Sequence, residues 1–248
     1  MKIAAAAATL VAGVVITIAA QTKNADADFL GRVDHLVFAT PDLDAGIDAI
    51  EKLTGVRATP GGQHPGFGTR NALAALGPRT YLEIIGPDPG QPKPAGPRRF
   101  GIDDLKAPTL VTWVAHTTNL DQVAAAGARA GVKLGAIIPG SRRRPDGVVL
   151  SWRYTDPNTV IADRIVPYFI DWGTSPHPAE SAARGLSLVS LRAQHPDAER
   201  VQQMLDALGV GGLGVERGSR PALMATITSP KGQVWLEGRS EDRPLSKR

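Results

Sequence analysis

The chain has 248 residues, 42% of them hydrophobic and 21% charged, an ordinary globular composition with no tract biased towards disorder or a fibre. A chain of this length buries a core without staples. With no cysteine, disulfides, thiolate metal ligands and a cysteine nucleophile are all excluded. The 28 basic residues barely exceed the 24 acidic ones, and no basic stripe is interleaved with aromatics, so no nucleic-acid partner is expected.

In chain order, Lys2 precedes an apolar stretch from Ile3 to Ala20 and then the triplet Ala25-Asp26-Ala27. This reads as a signal peptide over residues 1–27 cleaved before Asp28, which predicts an exported protein, secreted or periplasmic. The alternative is an uncleaved membrane anchor, since about 18 apolar residues is the lower limit for spanning a bilayer.

The run Arg32 to Thr40 reads as a strand, and Leu43, Ile47, Ile50 and Leu53 then mark one face of a helix closed by Gly55. A Gly-rich loop from Pro60 to Gly68 leads to a run from Asn71 to Leu76 and, after a turn, to a strand from Thr80 to Ile85. The order returns with a strand from Leu110 to His116, a helix bearing Leu120, Val123, Ala124 and Ala128, and strands at 135–138, 147–154 and 165–172. It starts a third time at Leu186, with Val201, Met204, Leu205 and Leu208 on the helix and a closing hairpin from Ala222 to Glu237. No dinucleotide-binding glycine turn, P-loop or nucleophile elbow occurs along the way.

The segments DHLVFATPDLDAGIDAIEKLTGV, GGQHPGFGTRNALAALG, YLEIIGPDP and RRRPDGVVLSWR resemble the signature segments of the glyoxalase-like domain proteins, a branch of the vicinal oxygen chelate superfamily. The resemblance implies an α+β fold of tandem βαβββ modules, that of glyoxalase, bleomycin-resistance and dihydroxybiphenyl dioxygenase proteins. The modules are expected over 32–174, with a third module-like segment over 184–240 packed on the same body and a tail over 241–248.

The resemblance also implies a divalent ion, zinc, iron, manganese or nickel, held by residues on the first and last strands of a module. In the first module these are His35 and Glu83. Thr112 and Val189 replace the histidine in the later modules, while Asp171 and Glu237 take the place of the carboxylate. His64 in the glycine-rich loop is a further candidate ligand, and Glu83 and His64 are the candidate acid–base groups.

Read from the residues alone, His35 lies on a face of small apolar residues, where a hydrogen-bonded core histidine is more usual than a ligand. Glu83 in an apolar strand needs a cation or donors to meet it. Thr69 and Asn71 offer polar contacts at one cleft edge, and Trp152 is either a cleft wall or core. In the run Arg142-Arg143-Arg144, Arg143 is the candidate anion contact, a solvated charge run being the alternative. The expected partner is a small molecule with vicinal oxygens, acted on by a lyase, isomerase or dioxygenase. The other reading is a metal-free cleft that sequesters a hydrophobic or aromatic compound.

Overall fold

The computed structural model describes residues 28–239. The leader and the tail at 241–248 lie outside them. The first module comprises β1 (Val33–Ala39), α1 (Leu43–Thr54), β2 (Thr59–His64), β3 (Thr69–Gly77) and β4 (Thr80–Pro87). Asp42 caps α1 by accepting a hydrogen bond from the Ala45 amide, and Gly55 ends it at φ 82, a left-handed conformation that costs glycine little. Between these caps Leu43, Ile47, Ile50 and Leu53 turn inward.

The second module follows as β5 (Thr109–His116), α2 (Leu120–Arg129), β6 (Ile137–Arg143), β7 (Val149–Thr155) and β8 (Tyr168–Asp171). The two modules share one eight-stranded sheet of order β2-β3-β4-β1-β5-β8-β7-β6. In each, the first strand runs parallel to the last, and β1 meets β5 antiparallel. There Leu36 faces Trp113, His35 faces Val114 and Val37 faces Thr112. Rotation about the Leu36–Trp113 pair therefore brings His35 onto Thr112 and Val37 onto Val114.

The sheet curls until its edges approach. Arg142 of β6 donates from Nη1 to the Gly61 carbonyl of β2. A side chain at Gly62 would stand 2.6 Å from the Arg143 carbonyl oxygen, so this meeting of edges requires glycine.

The third segment contains β9 (Ser187–His195), α3 (Ala198–Ala207), β10 (Val215–Arg217), β11 (Ala222–Ser229) and β12 (Gly232–Arg239). It repeats the order of elements but not the pairing. Its sheet runs β10-β9-β11-β12, with β9 antiparallel to β11 and parallel to β10, whereas in the first two modules the first strand pairs with the last.

Two apolar clusters lie on opposite faces of the large sheet. On the convex face Leu36, Phe38, Leu110 and Trp113 pack with Leu191, Val201, Leu205, Leu223 and Leu236 of the third segment. Burial at about 25 cal/mol per Å² of apolar surface holds the two sheets together there. On the concave face Val37, Ala39, Tyr81, Val114, Ile170 and Trp172 form the floor of a cleft.

Candidate functional site

β1 brings His35 to this floor by a break in its own register. Val33 pairs with Ala115 and His35 with Val114, so Asp34 is the extra residue of a β-bulge. Strict alternation would send Asp34 to the convex face with Leu36. The bulge instead sends Val33 into the convex cluster and lets the Asp34 carboxylate turn back to His35. Asp34 Oδ1 accepts from His35 Nδ1 at 2.7 Å, and Oδ2 accepts from Trp172 Nε1 at 3.0 Å and His177 Nε2 at 3.3 Å. Complete burial alone would raise its pKa. The hydrogen bonds from His177 and His35, and the charges those rings can carry, outweigh burial and hold it at about 2. With Nδ1 donating to Asp34, His35 presents the Nε2 lone pair to the cleft, where Tyr168 OH stands 3.3 Å away. The imidazole is stacked on the Tyr81 ring at 4.5 Å.

Glu83 arrives on β4, opposite Val37. Its Oε1 accepts from Asn71 Nδ2 at 2.6 Å, and its Oε2 lies 3.8 Å from His35 Nε2. At the end of β2, His64 has Nδ1 3.0 Å from Thr69 Oγ1 and Nε2 3.3 Å from Asn71 Nδ2. An amide nitrogen only donates, so His64 Nε2 accepts and Nδ1 carries the hydrogen. The glycine-rich strand thus brings His64, Thr69 and Asn71 into one network around Glu83.

Burial is the main cause that lowers the His64 pKa from 6.5 to about 4; Glu83 opposes it, and the Arg142 and Arg99 charges add to it. His64 is therefore neutral at pH 7. A histidine whose folded pKa is depressed binds its proton more readily in the unfolded chain, so stability falls as pH drops from about 6.5 towards 4. The loss is expected to be on the order of 3 kcal/mol. Urea unfolding at pH 7 and pH 4.5 checks this, and a His64→Asn variant as acid-sensitive as the parent would contradict it.

The second module contributes differently from what its sequence suggests. The rotation that places Val37 on Val114 also places Glu83, the β4 partner of Val37, on Tyr168, the β8 partner of Val114. Tyr168, not Asp171, therefore holds the carboxylate's place. Asp171 falls on the same side of β8 as Phe169, which is buried in the convex cluster, and its carboxylate accepts from the Gly173 amide; it is not a ligand at this cleft. Thr112, in the place of His35, donates to the Arg164 carbonyl. Burial pushes the Tyr168 phenol well above its usual pKa, with the Glu83 charge adding to the effect, so it keeps its proton.

Alternation along β6 turns Arg142 inward and Arg143 out. Arg143 is exposed and donates to the Gly147 carbonyl, so the cleft arginine is its neighbour. Trp152 lines the cleft, 5.1 Å from the Trp172 ring. Arg99 also lines it; nothing in the sequence singled that residue out from the proline-rich loop between β4 and β5.

Two ligands each about 2 Å from one ion lie about 3–4 Å apart. His35 Nε2 to Glu83 Oε2, at 3.8 Å, has that spacing, as does His64 Nε2 to Glu83 Oε1, also 3.8 Å. The two imidazoles approach different carboxylate oxygens, and Asn71 donates to both His64 and Glu83. Among the described residues no group of three or more His, Asp and Glu converges to hold one ion. His35 and Glu83 alone have the chemistry and the spacing of two ligands to one divalent cation, whose other positions would fall to water or a ligand. The Asp34 contact to Nδ1 is the outer-shell bond that a metal-binding imidazole ordinarily has.

A family model described as glyoxalase-like domain matches residues 33–209, running past the large sheet through β9 and α3. No curated protein matches the chain. Among solved structures, a hypothetical protein of Staphylococcus aureus is similar at TM-score 0.54 and 13% identity, covering 86% of this chain and 87% of its own. Methylmalonyl-CoA epimerase from Mycobacterium tuberculosis is similar at TM-score 0.38 and 18% identity, covering 60% of this chain and 92% of its own. A Streptomyces coelicolor methylmalonyl-CoA epimerase with 2-nitronate-propionyl-CoA gives 0.39 and 18%, covering 58% and 96%. The staphylococcal likeness spans most of the chain and concerns the fold alone. With the family model matching well over half of its length, the chain belongs to the glyoxalase-like domain family.

Proposed function

We propose that the protein is an enzyme that binds a small metabolite with neighbouring oxygens in this cleft, as a lyase, isomerase or dioxygenase, with a divalent cation on His35 and Glu83. The observation that carries this reading is His35 itself: Nδ1 is fixed by Asp34, and Nε2 faces Glu83 Oε2 at 3.8 Å. When bound there, a divalent cation supplies a Lewis acid for negative charge developing on substrate oxygens.

The chain's own groups divide the remaining tasks. Tyr168, held protonated, donates a hydrogen bond to an oxygen of the bound molecule. His64, neutral, and Glu83 are the groups that take up or return a proton, with Asn71 Nδ2 fixing their relative position. Trp152 and Phe67 wall the space in which Thr69 and Asn71 orient the ligand.

A second reading is a binding protein that sequesters an aromatic compound without turnover. The aromatic lining of the second module favours it, as do the hydroxyl residues Thr112 and Tyr168 at the places of a second ligand pair. Elemental analysis of protein purified without an affinity tag separates the two. About one divalent ion per chain supports the enzyme, and none supports the binding protein.

The leader over residues 1–27 supports export as part of the same proposal. N-terminal sequencing of protein from a bacterial host is expected to begin at Asp28 in the periplasm or medium. Intact Met1 in the soluble cytoplasmic fraction would refute export.

A further inference from the structure

Glu83 is the only carboxylate lining the cleft among the described residues, and Asn71 and two imidazoles surround it. Two guanidiniums line the same cleft. Arg142 is 4% exposed and donates to the Gly61 carbonyl. The Arg99 guanidinium carbon sits over the Phe67 ring, 3.7 Å from its centroid, and Nη1 donates to Tyr154 OH at 2.8 Å; its buried Nε has no partner.

Neither arginine forms an ion pair with any Asp or Glu among the described residues, whereas Arg98, next to Arg99, pairs with Asp103 at 2.5 Å. A carbonyl satisfies part of the buried Arg142 fork, and a phenol and a ring face part of the half-buried Arg99 fork, so neither guanidinium has a carboxylate within ion-pair distance and each keeps N–H donors for a ligand. A planar fork of N–H donors is matched to the oxygens of a carboxylate or phosphate. Both guanidiniums line the same cleft, and the charges of both act on His64 there.

We propose that Arg99 and Arg142 form an oxyanion subsite, and that the molecule bound here is an organic anion bearing a carboxylate or phosphate. This rests on the reading that the cleft takes a small molecule, and not on whether a metal is present.

The test is a tryptophan-fluorescence titration of the full chain in excess chelator with benzoate, phenylphosphonate and neutral benzamide, since Trp152 and Trp172 report on the cleft. At least one anion is expected to bind about tenfold or more tighter than benzamide, the range that charge-assisted hydrogen bonds supply. Arg99→Met is expected to abolish that preference, bringing the anion and benzamide to similar affinity. Preference for benzoate identifies a carboxylate subsite and preference for phenylphosphonate a phosphate subsite. Arg142→Met is expected to act in the same direction, and should it fail to fold by near-ultraviolet circular dichroism, Arg99→Met decides alone.

Equal binding of all three probes, or a preference that survives in Arg99→Met, overturns the subsite. A preference that appears only on adding Mn²⁺ and persists in Arg99→Met overturns it too, while leaving the metal reading intact. Conversely, absence of any bound cation leaves a positive result standing.

Discussion

Glu83→Gln is expected to lower divalent-cation affinity by at least about a hundredfold, more than the 10–100-fold that outer-shell partners of a ligand are worth, and to remove activity with it. The substitution keeps the shape and the oxygen that Asn71 bonds, and deletes only the charge facing His35. His35→Ala is expected to act in the same direction by removing the imidazole donor. Metal content by elemental analysis and affinity by competition with a chelating dye give the readout. If Glu83 is instead a structural carboxylate, the variant loses a few kcal/mol or so of stability and keeps the parent's metal content, which would sink the metal reading and favour the binding protein.

The second large effect is expected at Asp34. Asp34→Asn leaves one oxygen to serve donors that two oxygens serve now, and turns an amide hydrogen towards either His35 Nδ1 or the Trp172 and His177 donors. Breaking a buried, fully used charge of this kind costs about 3–5 kcal/mol. Loss of the bond that orients His35 costs a further 10–100-fold, roughly, in cation affinity. Because the folded pKa of Asp34 is depressed to about 2, its stabilisation is present above the ordinary carboxylate pKa and is lost as pH falls from about 4 towards 2. The penalty of Asp34→Asn should therefore be full at pH 7 and shrink in acid. Denaturant unfolding of both proteins at pH 7 and pH 3 measures this, and an equal penalty at both values would show that Asp34 does not carry its charge in the fold.

Much of this architecture is legible in the sequence. Apolar spacing gives α1, α2 and α3, and β-branched runs between turns give most strands. The alternation of RVDHLVFAT puts His35 with Val37 and Ala39, and these do face the cleft together. What is not legible follows from small breaks of the same rules. The bulge at Asp34 reverses the sides of Val33 and Asp34, so alternation puts Val33 on the cleft face and assigns the carboxylate that orients His35 to the wrong one. The last strand of the second module is only four residues long, too short for its pattern to fix a register, and Asp171 is taken for the residue at the place of Tyr168. In the triple arginine run every member has the same chemistry, and only hairpin register selects Arg142 over Arg143. Arg99 depends on an irregular loop in which Phe100 takes φ 64 and Gly101 φ 70, a conformation that composition does not announce. The third segment repeats the order of elements, and order alone does not tell which strands pair.

The replacement of one half's ligands by hydroxyl and aromatic groups gives the cleft two unlike sides. Its imidazoles, its carboxylate and one phenol, Tyr81, come from β1, β2 and β4, while the other two phenols, the indoles and one guanidinium come from β6, β7 and β8 or directly after it. The fold's rotational symmetry is thus one of backbone, not of chemistry. A flat, sp²-hybridised species lying between them presents one face to groups that exchange protons and the other to groups that do not. On the reading proposed above, a reaction that creates a stereocentre here yields a single enantiomer, and a ligand with two different ends enters in one orientation.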